Sequence, residues 1–186
     1  ELLQAVRRVV RDSEIGVCAP TGKAAVRITD VLQEKGLPFS GQTIHSMLGV
    51  IGESGEHTRF RHDEINPLPY RVVMADEQSM SDVNLMAALL SAIPPGGNLL
   101  LVGDPYQLPP VGHGAPFRDM LYAGVPNAIL EEIQRQAAKS AIVRGCHAIK
   151  SGKMPSVTNK VDIEAGDNLI FIDAKTNEEK IDAIRA

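Results

Sequence analysis

The stretch RVVMADEQSM, residues 71–80, decides the fold. Its first half, Arg71 to Ala75, is after the arginine apolar without alternation, the pattern of a strand buried on both faces rather than of a half-exposed one. The run stops at two adjacent carboxylates, Asp76 and Glu77, and a helical pattern from Ser81 to Ala92 follows, closed by PPGG at 94–97. Strand, polar exit, helix and breaker together make one βαβ unit.

The same unit recurs on both sides. Ile15 to Ala19 reads as a buried strand, and Pro20, Thr21 and Gly22 open a helix that runs to about Lys35, where Gly36 stops it. Leu99 to Val102 reads as a third strand and Asn127 to Leu130 as a fourth. A helix from Ala137 to Lys150 is expected next, with Gly152 beyond its end, then a strand from Asn168 to Asp173 and a helical piece from Asn177. Leu2 to Val10 reads as the end of a helix whose beginning lies outside the chain. The fold class is α/β, a parallel sheet flanked by helices. One stretch breaks the rhythm. Gly49, Gly52 and Gly55 lead into His57, Arg59, Arg61 and His62, which predicts a β-hairpin at about residues 49–65 standing off the sheet.

Composition narrows the function classes. Aromatic residues are 4% of the 186 and Trp is absent, so the core is built from aliphatic side chains, which disfavours an all-β sandwich. No apolar run approaches the roughly 20 residues that cross a bilayer, and no signal-peptide pattern opens the chain, so a membrane protein is not expected. Cys18 and Cys146 form no disulfide framework and no zinc-site spacing, which fits a reducing, cytoplasmic setting. With 19 basic and 23 acidic residues the net charge is −4, so any nucleic-acid site must be local.

Chemistry concentrates where strands end, because ligands of open α/β sheets bind outside the carboxyl ends of their strands. An Asp-Glu pair in isolation is usually a solvated acidic loop. Here the next strand exits into GDPYQLPPVG, residues 103–112, and a rigid turn accounts for Gly103, Pro109 and Pro110 but not for Asp104 and Gln107. At such an edge the first carboxylate of the pair can hold Mg²⁺ through its water shell, and the second can orient or deprotonate an attacking water. PTGK at 20–23 is no P-loop, because Gly16 lies one residue too far from Gly22 and Ala24 follows Lys23. Thr21, Gly22 and Lys23 can still present a helix N-terminus to a phosphate, or Thr21 can simply cap that helix. Thr43 can cap a short helix in QTIHSMLG, residues 42–49, and His45 is as readily a packed histidine as a functional one. Arg135 can reach a phosphate or pair with Glu131 or Glu132.

APTGKAA at 19–25, TIHS at 43–46, DEQSM at 76–80, GDPYQLPPVG at 103–112 and QRQ at 134–136, in this order, resemble the RecD-like superfamily 1 DNA helicases, the exodeoxyribonuclease V alpha-subunit family. The resemblance covers roughly residues 15–155 and implies a RecA-like motor domain of the P-loop NTPase class. It implies ATP as substrate and Mg²⁺ as cofactor, with Asp76 as the metal carboxylate and Glu77 as the catalytic base. Gln107 and Arg135 would sense the γ-phosphate, and Asp104 stands with them on the nucleotide side. Pro20, Thr21, Gly22, Lys23, Thr43 and His45 would contact single-stranded DNA, and the hairpin would meet the duplex junction. Partners implied are single-stranded DNA, duplex junctions and the other subunits of a recombination nuclease complex.

By the same resemblance, residues 1–155 would be an incomplete first motor domain and 156–186 the opening of the second. The P-loop would precede Glu1 and the later motifs would follow Ala186, leaving this segment by itself a poor ATPase. Gln78 departs from the small residue usual after the Asp-Glu pair. The implied activity is 5′ to 3′ DNA unwinding in recombination and repair. A scaffold that has lost its motor, and a metal-dependent nuclease using Asp76, Glu77 and Asp104, are the alternatives. Phe60 is the candidate base-stacking residue of the hairpin, or packs it.

Overall fold

The computed structural model describes residues 2–54, 57–130, 140–157, 169 and 176. The chain divides into two compact units, Glu1–Asn127 and Ala128–Ala186.

The first unit is built on a four-stranded parallel sheet. Strands β1 (Ile15–Ala19), β2 (Gln42–Thr43), β5 (Val72–Ala75) and β6 (Asn98–Leu101) lie in the order β2-β1-β5-β6. Between them in sequence, β3 (Val50–Ser54) and β4 (His57–Phe60) form a separate antiparallel hairpin with a register shift between Val50 and Gly52. The chain runs from β1 outward to β2 and then back across β1 to β5, so the direction of winding reverses beside β1. A crevice opens at such a reversal, at the carboxyl ends of the strands.

Both faces of the sheet are covered, which is why its strands lack alternation. One face packs Ile15, Val17 and Ala19 of β1 against Ile28 and Leu32 of helix α2 (Gly22–Glu34), with Leu3, Leu37 and Phe39. The other packs Cys18, Val73 and Ala75 against helices α3 (Ile44–Leu48) and α4 (Val83–Ser91) through Ile44, Met47, Leu48 and Leu89. Gly16 is required on this second face. A Cβ there would fall 2.7 Å from the Tyr70 ring.

Local signals set the helix ends. Thr21 caps α2 by accepting from Ala24 N–H at 3.3 Å, and buried Ala25, Ile28 and Leu32 recur at the helical period. Gly36, at φ +65°, ends the helix in a Schellman turn, with Leu37 N–H donating to Leu32 C=O at 2.8 Å and Gly36 N–H to Gln33 C=O at 2.9 Å. Asp82 caps α4 on Leu85 N–H at 2.8 Å. In the second unit, helix α6 (Ala141–Lys150) ends in the same kind of turn at Gly152, with Lys153 N–H donating to Ala148 C=O at 2.7 Å.

Several expectations are corrected. Residues 127–130 form no strand; Leu130 is 96% exposed, and a three-residue apolar run without a partner ladder gains nothing by extending. The N-terminal helix α1 is Leu2–Val6 and gives way to turns, in which Arg7 binds both oxygens of Asp12 at 2.8 Å and Val9 is solvent-exposed. Helix α5 (Pro116–Tyr122), opened by a proline in its first turn, was not anticipated, and neither was β2. The strand expected at 168–173 and the helical piece from Asn177 lie outside the described residues apart from Leu169 and Thr176. Among the described residues no helix is long and apolar enough to cross a membrane.

Candidate functional site

The site is assembled from three strand exits on one edge of the sheet. β1 is in register with β5 and β5 with β6, so Cys18 pairs with Ala75 and Ala75 with Leu101, and all three strands end at the same level. The ladder continues one step further, with Asp76 N–H donating to Cys18 C=O at 2.9 Å and Val102 N–H to Ala75 C=O at 2.8 Å. Asp76 is thus held by backbone bonds on the central strand.

Asp76 is half-buried, and its Oδ1 accepts from Glu77 N–H at 2.9 Å. Oδ2 carries no hydrogen bond among the described residues and faces no competing cation in an ion pair. Glu77 sits at φ 55°, ψ 36°, the only non-glycine residue with positive φ among the described residues. Left-handed backbone at a carboxylate side chain costs on the order of 1 kcal/mol and persists only where surrounding bonds impose it. Those bonds follow directly. Gln78 N–H donates to Val102 C=O at 2.9 Å, and a turn of 3-10 helix, Gln78–Met80, leads into α4.

The loop after β6 leans on this turn. A Cβ at Gly103 would lie 3.1 Å from the backbone nitrogens of Gln78 and Ser79 and 3.2 Å from the Phe117 ring, so the glycine at the strand exit permits close approach, as its position suggested. Asp104 Oδ1 accepts from Tyr106 N–H at 3.0 Å and its carbonyl accepts from Gln107 N–H at 3.2 Å, which makes Asp104 the organiser of the loop's turn. At the far end a Cβ on Gly112 would collide with the Asp82 carboxylate, and Val83 N–H donates to His113 C=O at 3.0 Å. Gln107 is exposed and lines a shallow surface depression with Ser79, Pro105, Pro109, Ala115, Phe117 and Arg118. Ser79 Oγ, buried there, is the one such side-chain atom without a partner among the described residues.

A second pair of features shares this edge. Ala19 is in register with Thr43, so α2 and α3 start side by side. Thr21 caps the first and Thr43 the second, accepting from Ser46 N–H at 3.0 Å. Gly22 and Lys23 are exposed, and Lys23 forms no ion pair among the described residues. The capping roles and the anion-facing roles are compatible, because one cap leaves the remaining first-turn N–H groups free. His45 is exposed and its ring lies 5.7 Å from that of Phe60, tilted by 55°. Phe60 is half-buried against the core, so it packs the hairpin onto α3. Arg135 lies outside the described residues.

The donor set suits one kind of metal binding. Among the described residues no three His, Cys, Asp or Glu side chains converge, so a metal caged by protein, as the nuclease alternative needs, has no ligand set there. A single carboxylate at a strand end fits a hydrated Mg²⁺ completed by substrate phosphates. Cys18, below Asp76 on β1, is buried, and burial pushes its thiol up to about 12; it stays protonated and supplies no nucleophile. Sequence reading missed the parts played by Gln78, Ser79 and Asp82. The one available signal was Gln78 itself, a large amide where a small residue was expected.

Residues 1–169 match the family described as AAA domain. The chain is 42% identical over 147 residues to the ATP-dependent RecD2 DNA helicase of Deinococcus radiodurans, covering 79% of this chain and 19% of that protein. It is 38% identical over 118 residues to the RecBCD enzyme subunit RecD of Mycolicibacterium smegmatis, covering 58% of this chain and 21% of that one. It therefore spans about a fifth of the length of these relatives. Among solved structures, Pif1 of Bacteroides sp. in complex with ADP-AlF4 aligns at a TM-score of 0.37 and 22% identity, over 66% of this chain and 29% of that one.

Proposed function

The chain belongs to the AAA-domain family, and from that premise we propose that it forms part of the motor of an ATP-dependent DNA helicase that moves 5′ to 3′ along single-stranded DNA in recombination and repair. One observation carries the reading. Three parallel strands in register bring DEQS, GDPYQLPPVG and APTGK to a single sheet edge, beside a second helix N-terminus at Thr43.

The division of labour follows from chemistry. Charge builds on the γ-phosphoryl oxygens as the anhydride breaks, and bound Mg²⁺ supplies electrostatic relief there. Asp76, whose Oδ2 is free among the described residues, would hold that ion through its water shell, and Glu77, whose carboxylate has no partner among the described residues, would orient and deprotonate the attacking water. Gln107, on the exposed loop, and Arg135 read the presence of the γ-phosphate. The N-termini of α2 and α3, with Lys23, bind DNA phosphates without reading bases, so binding is salt-dependent. The domain assignment, a first motor domain over residues 1–155 and the opening of a second over 156–186, is part of the same proposal. So are other subunits of a recombination nuclease complex as partners, and a cytoplasmic location.

The test is Mg²⁺-ATP hydrolysis and duplex unwinding by the natural protein containing this sequence, with and without single-stranded DNA. Glu77→Gln should lower DNA-stimulated turnover about 100-fold or more while ATP binding is kept, the size of effect expected for loss of a general base. A Glu77→Gln protein that unwinds at the normal rate sinks the motor reading and leaves the scaffold.

A further inference from the structure

We propose that Gln78 is the positioning residue of the Asp76-Glu77 pair, a buried amide clamp that holds Glu77 in its left-handed backbone and so aims both carboxylates. The inference rests on the reading of Asp76 and Glu77 given above and adds to it a residue that touches neither nucleotide nor metal.

Gln78 is fully buried, which for a glutamine demands that its amide be satisfied. Its Nε2 donates to Asp76 C=O at 3.0 Å, and its Oε1 accepts from Ser81 Oγ at 3.0 Å, with Ser81 itself buried. Its backbone N–H donates to Val102 C=O at 2.9 Å. One residue thus ties the exit of β5 to β6 on one side and to the start of α4 on the other. The peptide plane between Asp76 and Glu77 is fixed at both ends, its carbonyl by the Gln78 amide and its N–H by Asp76 Oδ1. Rotation of that plane is what releasing Glu77 from φ 55° would require. A side chain without hydrogen-bonding groups at position 78 fills the same space and cannot hold the plane.

The experiment compares the natural protein with its Gln78→Met and Glu77→Gln variants. Gln78→Met keeps the volume and removes the clamp. Hydrogen exchange should accelerate about tenfold or more in a peptide covering residues 76–80, with residues 15–19 unchanged, as the turn gains local opening. DNA-stimulated turnover should fall about tenfold and the Mg²⁺ concentration for half-maximal rate should rise, while KM for ATP stays within about twofold, as for groups that orient a metal carboxylate. A smaller active fraction from misfolding cannot shift the Mg²⁺ dependence. Should Gln78→Met fail to fold, Ser81→Ala, which frees only the amide oxygen, must show the same local rise in exchange. Unchanged exchange over 76–80 overturns the clamp. If Glu77→Gln abolishes turnover while Gln78→Met keeps full rate and Mg²⁺ dependence, the clamp alone is wrong. If Glu77→Gln leaves turnover intact, the underlying assignment of the pair is what has failed.

Discussion

Two loops leave neighbouring parallel strands at the same edge, and they are built in opposite ways. After β5, the turn from Asp76 to Ser81 is half-buried to buried apart from the exposed Met80, and is tied by side-chain and backbone hydrogen bonds. After β6, the loop of residues 103–112 comes into close approach at Gly103 and Gly112 and is turned by Asp104, and between them Leu108 is 86% exposed. The first design suits groups that must stand still, a metal carboxylate and a base. The second suits a group that must answer to its surroundings. Rigidity comes from the satisfied buried groups of Gln78 and Ser81 in the one, and in the other largely from prolines, which stiffen the chain, and from the turn at Asp104.

The comparison can be broken hardest at Gly112. Gly112→Val should lower stability by about 1–3 kcal/mol, because the new side chain drives into Asp82, the cap of α4; a chemical denaturation midpoint reads it. Placed in an Asp82→Gly background the same change should cost clearly less, since both the carboxylate and the Cβ that the new side chain meets are gone, and glycine at a cap position forfeits only roughly a few tenths of a kcal/mol. Equal costs in both backgrounds would mean that the loop is not seated on Asp82.

A middle-sized effect is expected at Glu77. Glu77→Gly should be more stable than Glu77→Ala by about 1 kcal/mol, because glycine adopts φ 55° without the Cβ penalty, while both lose turnover. If alanine is the more stable of the two, the left-handed turn is not what the protein adopts. The smallest effect belongs to the loop tip. Leu108→Ser should leave the thermal midpoint within the shift equivalent to about 0.5 kcal/mol, as for exposed positions generally. A large drop there would turn the loop into a packed element and erase the contrast.

Much of this arrangement was legible in residue order. Ile15 to Ala19 and the apolar half of residues 71–80 announced themselves because strands covered on both faces need no alternation, and Thr21, Thr43 and Gly36 marked helix ends through their own chemistry. What stayed hidden depends on partners far along the chain. β2 is two residues long and exists only because β1 offers it a ladder. α5 buries a single phenylalanine, Phe117, too little for periodicity to register. Residues 127–130 carried an apolar run and found no edge to extend against. The left-handed turn at Glu77 had no glycine to signal it, since the constraint lies in the bonds of Gln78 and not in the residue that bends. Of the candidate site, Asp76, Glu77, Asp104, Gln107 and the two helix starts were named from sequence, and the clamp behind them was not.

The fate of Cys18 gives the molecule a built-in clock. A protonated thiol beneath the site cannot react with an alkylating reagent while β1 is closed, whereas Cys146 on α6 is exposed. Within these 186 residues a thiol dye therefore stains one place at rest and reaches the second only when the sheet beside Asp76 opens. The lag between the two stains times that opening, with no engineered residue anywhere in the chain.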